Sequence, residues 1–175
     1  MANIDDFKAN LLGGGARANQ FRVTITAPIG INIGLDVART SFMVKTSSLP
    51  AMTLGEIPIS FRGRQIYIAG DRQFTETWST TFINDTDFMI RNAMERWSNG
   101  INDLRLGTGK NDPADYQTNL YVDQLDRADK ILKSYTFRNA WPTSVGSIAL
   151  SYDTIDAIEE FEVTWRYQHF ESAGI

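Results

Sequence analysis

The chain has no cysteine among its 175 residues, so disulfide staples, thiolate metal ligands and thiol nucleophiles are excluded together. It has one histidine, His169, which leaves zinc sites built on paired histidines and serine triads with a single imidazole to draw on. Positive charge is also short: 17 Lys and Arg face 21 Asp and Glu, for a net charge of -4 and an isoelectric point near 5.0. The overall basic excess that gathers nucleic acid through counterion release is missing. No stretch approaches the roughly 20 apolar residues of a membrane-crossing helix, and Asp5 and Asp6 stand where a secretory leader carries basic residues. The expectation is a chain that does not insert into a membrane.

What is present suits one folded unit. Apolar residues make up 42% of the chain and charged residues 22%, with ten Phe, six Tyr and four Trp. A domain of about 150 residues buries roughly 68–70% of its unfolded surface, so a single core is the natural reading. The expected division is an N-terminal arm over 1–18, one β domain over 19–170 and a C-terminal tail over 171–175. The arm places Ile4, Phe7, Leu11 and Leu12 at helical spacing before Gly13, Gly14 and Gly15 interrupt it.

Beyond the arm, period-2 alternation dominates. Phe21, Val23, Ile25 and Ala27 oppose Arg22, Thr24 and Thr26, the pattern of a half-buried strand. Residues 29–35 read as a hairpin tip, and Phe42, Val44 and Thr46 as part of a second strand. From Ile57 to Gly70 the pattern suggests one further strand. In Gln73 to Ile83, Phe74, Trp78 and Phe82 share a face with Glu76 and Thr80, while Thr75, Thr77, Ser79, Thr81 and Ile83 take the other. Asn84, Asp85 and Thr86 offer helix caps. After them Ile90, Met94 and Trp97 form an apolar stripe, with Arg91 and Glu95 as an i,i+4 pair on the wet side. Strands are expected again over 119–127, 131–141, 144–152 and 159–170. In the last of these Phe161, Val163 and Trp165 alternate with Glu160, Glu162 and Thr164. The sum is an α+β fold, mainly antiparallel β: two packed sheets or a barrel-like sandwich of roughly seven or eight strands, with one flanking helix at about 86–99.

No convergent chemistry emerges from the motifs. Gly107, Gly109 and Lys110 sit where a phosphate loop would need a glycine at Leu104 and a hydroxyl at Asn111. Asn111, Asp112 and Asp115 lack the glycine and terminal glutamate of a calcium loop. Glu160 and Glu162 would project from one strand face about 7 Å apart, as on any solvated strand. Phe61, Arg62, Arg64 and Tyr67 are the nearest approach to a base-stacking surface, but continuous alternation would put the rings opposite the cations. No catalytic, cofactor-binding or metal-binding residue is nominated, and no cofactor is expected. An up-and-down barrel holding a small apolar ligand fits the alternation as well.

The central run then carries a more specific signal: Leu49-Pro50, Ile57-Pro58, Phe61, Arg64, Ala69-Gly70-Asp71-Arg72, Phe74, Trp78 and Asn84-Asp85, followed by Arg91 and Trp97. Trp141-Pro142-Thr143, Val145-Gly146 and Phe161-Glu162-Val163-Thr164 continue it. In order and spacing this resembles the tail tube proteins of contractile-tailed bacteriophages, and the resemblance covers roughly Phe21 to Thr164. It implies a structural virion protein that is not an enzyme, whose copies form hexameric rings with a pooled inner β-barrel, stacked into a hollow tail tube. Implied partners are the chain itself and the sheath, tape-measure, baseplate and tail-terminator proteins. Double-stranded DNA would pass through the lumen without specific binding, in a virion tail assembled in the host cytoplasm. Related tubes occur in contractile injection and type VI secretion systems. Segments 29–37, 13–15 and 168–175 depart from the pattern.

Within that frame the candidate subunit-interface residues are Arg64, Asp71, Arg72, Asn84 and Asp85. Asp71 and Arg72 are read as a sharp connection between strands, and Arg64 or Arg72 is expected to form an ion pair there or to a neighbour. The candidate lumen residues are the hydroxyl face Thr75, Thr77, Ser79 and Thr81, and the acidic pair Glu160 and Glu162. A wall of small polar and acidic groups gives DNA no adsorbing surface.

Overall fold

A computed structural model of the chain describes residues 3–74 and 76–174. Its elements in chain order are α1 (Ile4–Asn10), a 3-10 turn (Leu12–Gly14), β1 (Phe21–Ile25), α2 (Val37–Phe42), β2 (Val44–Thr46), β3 (Thr53–Phe61) and β4 (Arg64–Gln73). Then follow β5 (Trp78–Ile83), α3 (Met89–Ile101), α4 (Pro113–Tyr116), β6 (Thr118–Leu125), β7 (Ile131–Val145), β8 (Glu160–Arg166) and β9 (His169–Gly174). Seven strands form one sheet in the order β1-β6-β7-β8-β5-β2, with β9 also paired to β7, while β3 and β4 make a separate two-stranded sheet. Every pairing is antiparallel. Among the described residues no helix is long and apolar enough to cross a membrane.

The alternation of β5 and β8 seats the core. Trp78, Thr80 and Phe82 lie opposite Trp165, Val163 and Phe161, and all six are buried. Indole N–H groups need partners once they leave water, and three tryptophans find them: Trp78 donates to the Ser48 carbonyl, Trp97 to the Tyr116 carbonyl and Trp165 to the Thr80 hydroxyl, each at 2.8 Å. Trp78 stacks on Phe137 with centroids 4.4 Å apart, and Trp97 meets Trp165 edge-on at 5.5 Å. Through Trp97, with Ile90, Ala93 and Met94, α3 lies across the sheet. The interior that a ligand-holding barrel would leave open is therefore filled by indole and phenyl rings.

Several expectations need correction. The single strand expected over 57–70 is a hairpin, β3–β4, that turns at Arg62 and Gly63, both at positive φ (48° and 78°). A two-residue hairpin loop demands this twist, and with arginine at its first position it lacks the Asn-Gly or Asp-Gly mark. Asp71 and Arg72 consequently lie within β4 instead of in a connection. Phe61 pairs directly with Arg64, so the two share a face, contrary to the uninterrupted alternation. Residues 29–35 form no hairpin. They lead into α2, capped by Asp36, whose carboxylate accepts from the Arg39 N–H at 3.1 Å. Gly30 sits against α4, where a Cβ would fall 2.5 Å from that of Asp115.

Strand β7 is one element of 15 residues that exchanges partners: Lys133–Arg138 pair with β9 and Trp141–Val145 with β8. The register shift between Pro142 and Ser144 is where a proline, lacking an N–H, is tolerated in a sheet. The strand expected over 144–152 ends at Val145, and residues 146–159 are irregular. Trp141 is half-buried against Tyr116 at 6.3 Å and lies outside the main core cluster. The strand expected over 159–170 breaks at Tyr167 and Gln168, and residues 171–174, set aside as a tail, pair with β7 in β9. Helix α3 begins at Met89 after Phe88 at φ 53°, with no side-chain cap on the N-cap residue.

Candidate functional site

Three surfaces gather the residues nominated from sequence. The first is the outer face of β5 and β8. Because Trp78, Thr80 and Phe82 point inward, Ser79, Thr81 and Ile83 point outward, opposite Thr164, Glu162 and Glu160. The hydroxyl face and the acidic face, nominated separately, are thus one continuous patch. Thr46 on β2 extends it, donating its hydroxyl to that of Thr81 at 2.7 Å. Lys45 forms an ion pair with Glu160, while Glu162 is exposed and has no ion pair among the described residues. Thr77 is exposed just before β5, and Thr75 lies outside the described residues.

The second surface is the corner where β5 passes into α3. Asn84 is buried: its side-chain amide donates to the Glu159 carboxylate at 2.9 Å and its backbone N–H to the Glu159 carbonyl at 2.8 Å. Asp85 and Asp87 both hold Arg39 of α2, the Asp87 pair at 2.6 Å. Arg39 holds the Asp85 carboxyl below its usual range, helped by the Thr86 N–H. For Asp87 the Met89 N–H is the main cause of the same downward displacement, with Arg39 second. The expected cation at this corner was Arg64 or Arg72; the structure puts Arg39 there. Nothing in the local pattern marks Arg39, since the segment before it reads as a hairpin tip.

The third surface is the β3–β4 hairpin, which carries Arg64, Asp71 and Arg72. Directly paired residues of an antiparallel ribbon share a face. One face of this ribbon thereby collects Ile57, Ile59 and Phe61 with Ile68, Ile66 and Arg64. The five apolar side chains are between 44% and 57% exposed. The reverse face, with Pro58, Ser60, Gln65, Tyr67 and Ala69, is exposed as well. Both faces of the ribbon are therefore wet from Glu56 to Ala69. Where its base meets the body, Met52, Arg72 and Phe74 line a small cleft of about 140 Å³ with Tyr167, His169 and Phe170.

An isolated two-stranded ribbon is marginal in water, and a contiguous exposed apolar face marks an interaction site. Among the described residues no three His, Asp or Glu side chains are placed to hold a metal ion. The arrangement defines a class: a β domain with a filled interior and a projecting ribbon suited to contact with other chains.

Comparison with known proteins supplies the family. The chain belongs to the phage tail tube protein family, whose profile matches residues 16–173. It is 32% identical over 174 residues to tail tube protein gp19 of Enterobacteria phage T4, covering 96% of this chain and 99% of that one. To the tail tube protein of Serratia phage KSP90 it is 30% identical over 169 residues, 95% of each chain. This is a structural family, not an enzyme family, and its members are tail tube proteins of the virion tail. The fold is shared with chains of the sheath-tube complex of the PVC extracellular contractile injection system, at a TM-score of 0.60 and 14% identity over all of both chains. It is shared too with the tube-terminating cap of the anti-feeding prophage, at 0.60 and 16% identity over 91% of each.

Proposed function

We propose that copies of this chain associate through the β3–β4 hairpin into hexameric rings that stack into the inner tube of a contractile tail. The observation that carries this reading is the unpartnered face of Ile57, Ile59, Phe61, Ile66 and Ile68. Ring closure would cover a ribbon that the monomer leaves wet, and shared β-structure removes edges that otherwise invite uncontrolled aggregation. Arg64, Asp71 and Arg72 travel with the ribbon and are its polar interface residues. Asn84 and Asp85 act from behind, by fixing the corner between β5 and α3.

The joint patch of Thr77, Ser79, Thr81, Glu160 and Glu162 is the lumen wall in this reading, and Thr75 belongs with it by sequence. The carboxylate of Glu162 repels phosphate, and the small hydroxyls beside it offer no ring for a base to rest on, so double-stranded DNA slides past on its way into the host. Sheath, tape-measure, baseplate and terminator proteins are the remaining partners, and assembly takes place in the host cytoplasm. The segment 1–18 acts as an arm beyond the ring domain. Sedimentation of purified protein across concentrations, followed by negative-stain imaging, tests the reading. Six-fold rings or hollow filaments are expected, and a compact monomer at every concentration, including in the presence of preformed tail baseplates, would overturn it.

A further inference from the structure

Between Ile148, which packs on the core, and Glu159, which holds Asn84, the connection from β7 to β8 has an unusual composition. All residues from Ala149 to Ile158 are exposed. Leu150, Tyr152, Ile155 and Ile158 are each at least 70% exposed. No Lys or Arg occurs between Arg138 and Arg166, and among the described residues Asp153 and Asp156 have no ion pair. The segment is apolar and acidic.

The hairpin is its counterpart in charge. Between Glu56 and Asp71 the only charged residues are Arg62 and Arg64. Both lie at the tip, Arg62 over the Phe61 ring at 5.2 Å from its centroid, and neither has an ion pair among the described residues. Another exposed acidic segment, 102–115, is a poorer match. It contains Arg105 and Lys110, the Asp103 carboxylate already accepts from the Arg105 and Leu106 N–H groups, and Asp115 is paired with Lys110.

Position completes the case. The hairpin enters the body just before Trp78, which pairs with Trp165 near the end of β8; the 149–158 segment enters β8 at Glu160, which pairs with Ile83 at the end of β5. The points where the two segments join the body therefore lie at opposite ends of the β5–β8 pair, about 17 Å apart by strand rise. Unlike, complementary patches on opposite ends of one molecule join copies head to tail, and such a contact repeats without limit or closes a ring.

We infer that the arginine-tipped apolar face of β3–β4 in one copy docks on residues 149–158 of the next copy, with Arg62 and Arg64 facing Asp153 and Asp156. Phe61 and Ile59 then lie against Leu150 and Ile155. This rests on the tube reading, and it assigns the receiving surface that the tube reading leaves open.

Charge exchange tests it. Arg62→Glu with Arg64→Glu, and separately Asp153→Arg with Asp156→Arg, should each raise the concentration needed for polymerisation at least about tenfold, while the melting of the dilute protein stays unchanged. The four substitutions together should return assembly to within about threefold of the parent. Because the chain has no cysteine, an Ile66→Cys, Thr154→Cys variant, with the first thiol on the docking face beside Ile59, supplies a second readout: oxidation of its polymers should yield a ladder of covalent oligomers. Polymers that form without the ladder, or a fourfold variant no better than the worse pair, overturn the docking and leave the tube reading standing. A parent chain that never polymerises overturns both.

Discussion

The β5–β8 pair and the β3–β4 pair are both antiparallel ribbons rich in β-branched and aromatic residues, yet one is the centre of the core and the other is exposed on both faces. In β5 and β8 every second residue is buried, all of them apolar but Thr80, and the alternates are polar but for Ile83, which fits one dry face and one wet face. In β3 and β4 the apolar residues are as numerous, but within the chain no third layer covers them. If the ribbon is covered by other copies as proposed, the contrast teaches that a strand's pattern records how many faces are covered at the end of assembly, including those covered by other chains.

Removing the keystone of the body should give the largest effect. Trp97→Ala deletes a buried indole together with its bond to the Tyr116 carbonyl and should destabilise the monomer by about 3–5 kcal/mol, read by denaturant titration. The mirror experiment on the hairpin, Ile59→Ser with Ile66→Ser, should move monomer stability by no more than about 0.5 kcal/mol. It should nevertheless abolish sedimenting polymer at concentrations where the parent assembles. A hairpin variant that melted like the Trp97 variant would erase the distinction between the two regions.

A smaller effect is expected at the corner between β5 and α3. Asp85 and Asp87 have folded carboxyl pKa values below the unfolded one, so the folded state binds fewer protons. Their contribution is complete above about pH 4 and is lost as pH falls through the lowered values. Arg39→Gln should flatten the acid limb of a stability-against-pH curve and leave the slope between pH 6 and pH 8 as it was. The smallest change in the monomer should come from Arg72→Glu, which is exposed in β4. It should fold like the parent and assemble less well, and equal assembly would remove Arg72 from the interface.

Much of the body was legible in the chain because its cause is local. Trp78, Thr80 and Phe82 alternate in step with Phe161, Val163 and Trp165, and the stripe of Ile90, Met94 and Trp97 reports α3 directly. The polar patch on the outer face of β5 and β8 was legible only in halves, since register joins Thr81 to Glu162 and register is not written in either strand alone. The hairpin turn was hidden by Arg62, an arginine in a backbone conformation that usually selects glycine or asparagine. Arg39 was hidden because its two aspartates lie more than forty residues away. Ile148, Leu150 and Tyr152 mimicked a strand by alternating, although of the three only Ile148 packs on the core. Apolar alternation that serves a neighbouring copy cannot be told from alternation that serves the chain itself.

Hydrogen exchange of the backbone amides of residues 53–73, measured in dilute protein and in assembled polymer, tests the central claim most directly. Ladder amides in β3 and β4 should exchange far faster than those of β5 and β8 in dilute protein, and should slow to the rate of the body in the polymer. Amides protected equally in both states, or still unprotected once polymer has formed, would contradict the claim that the hairpin is completed by another copy of the chain.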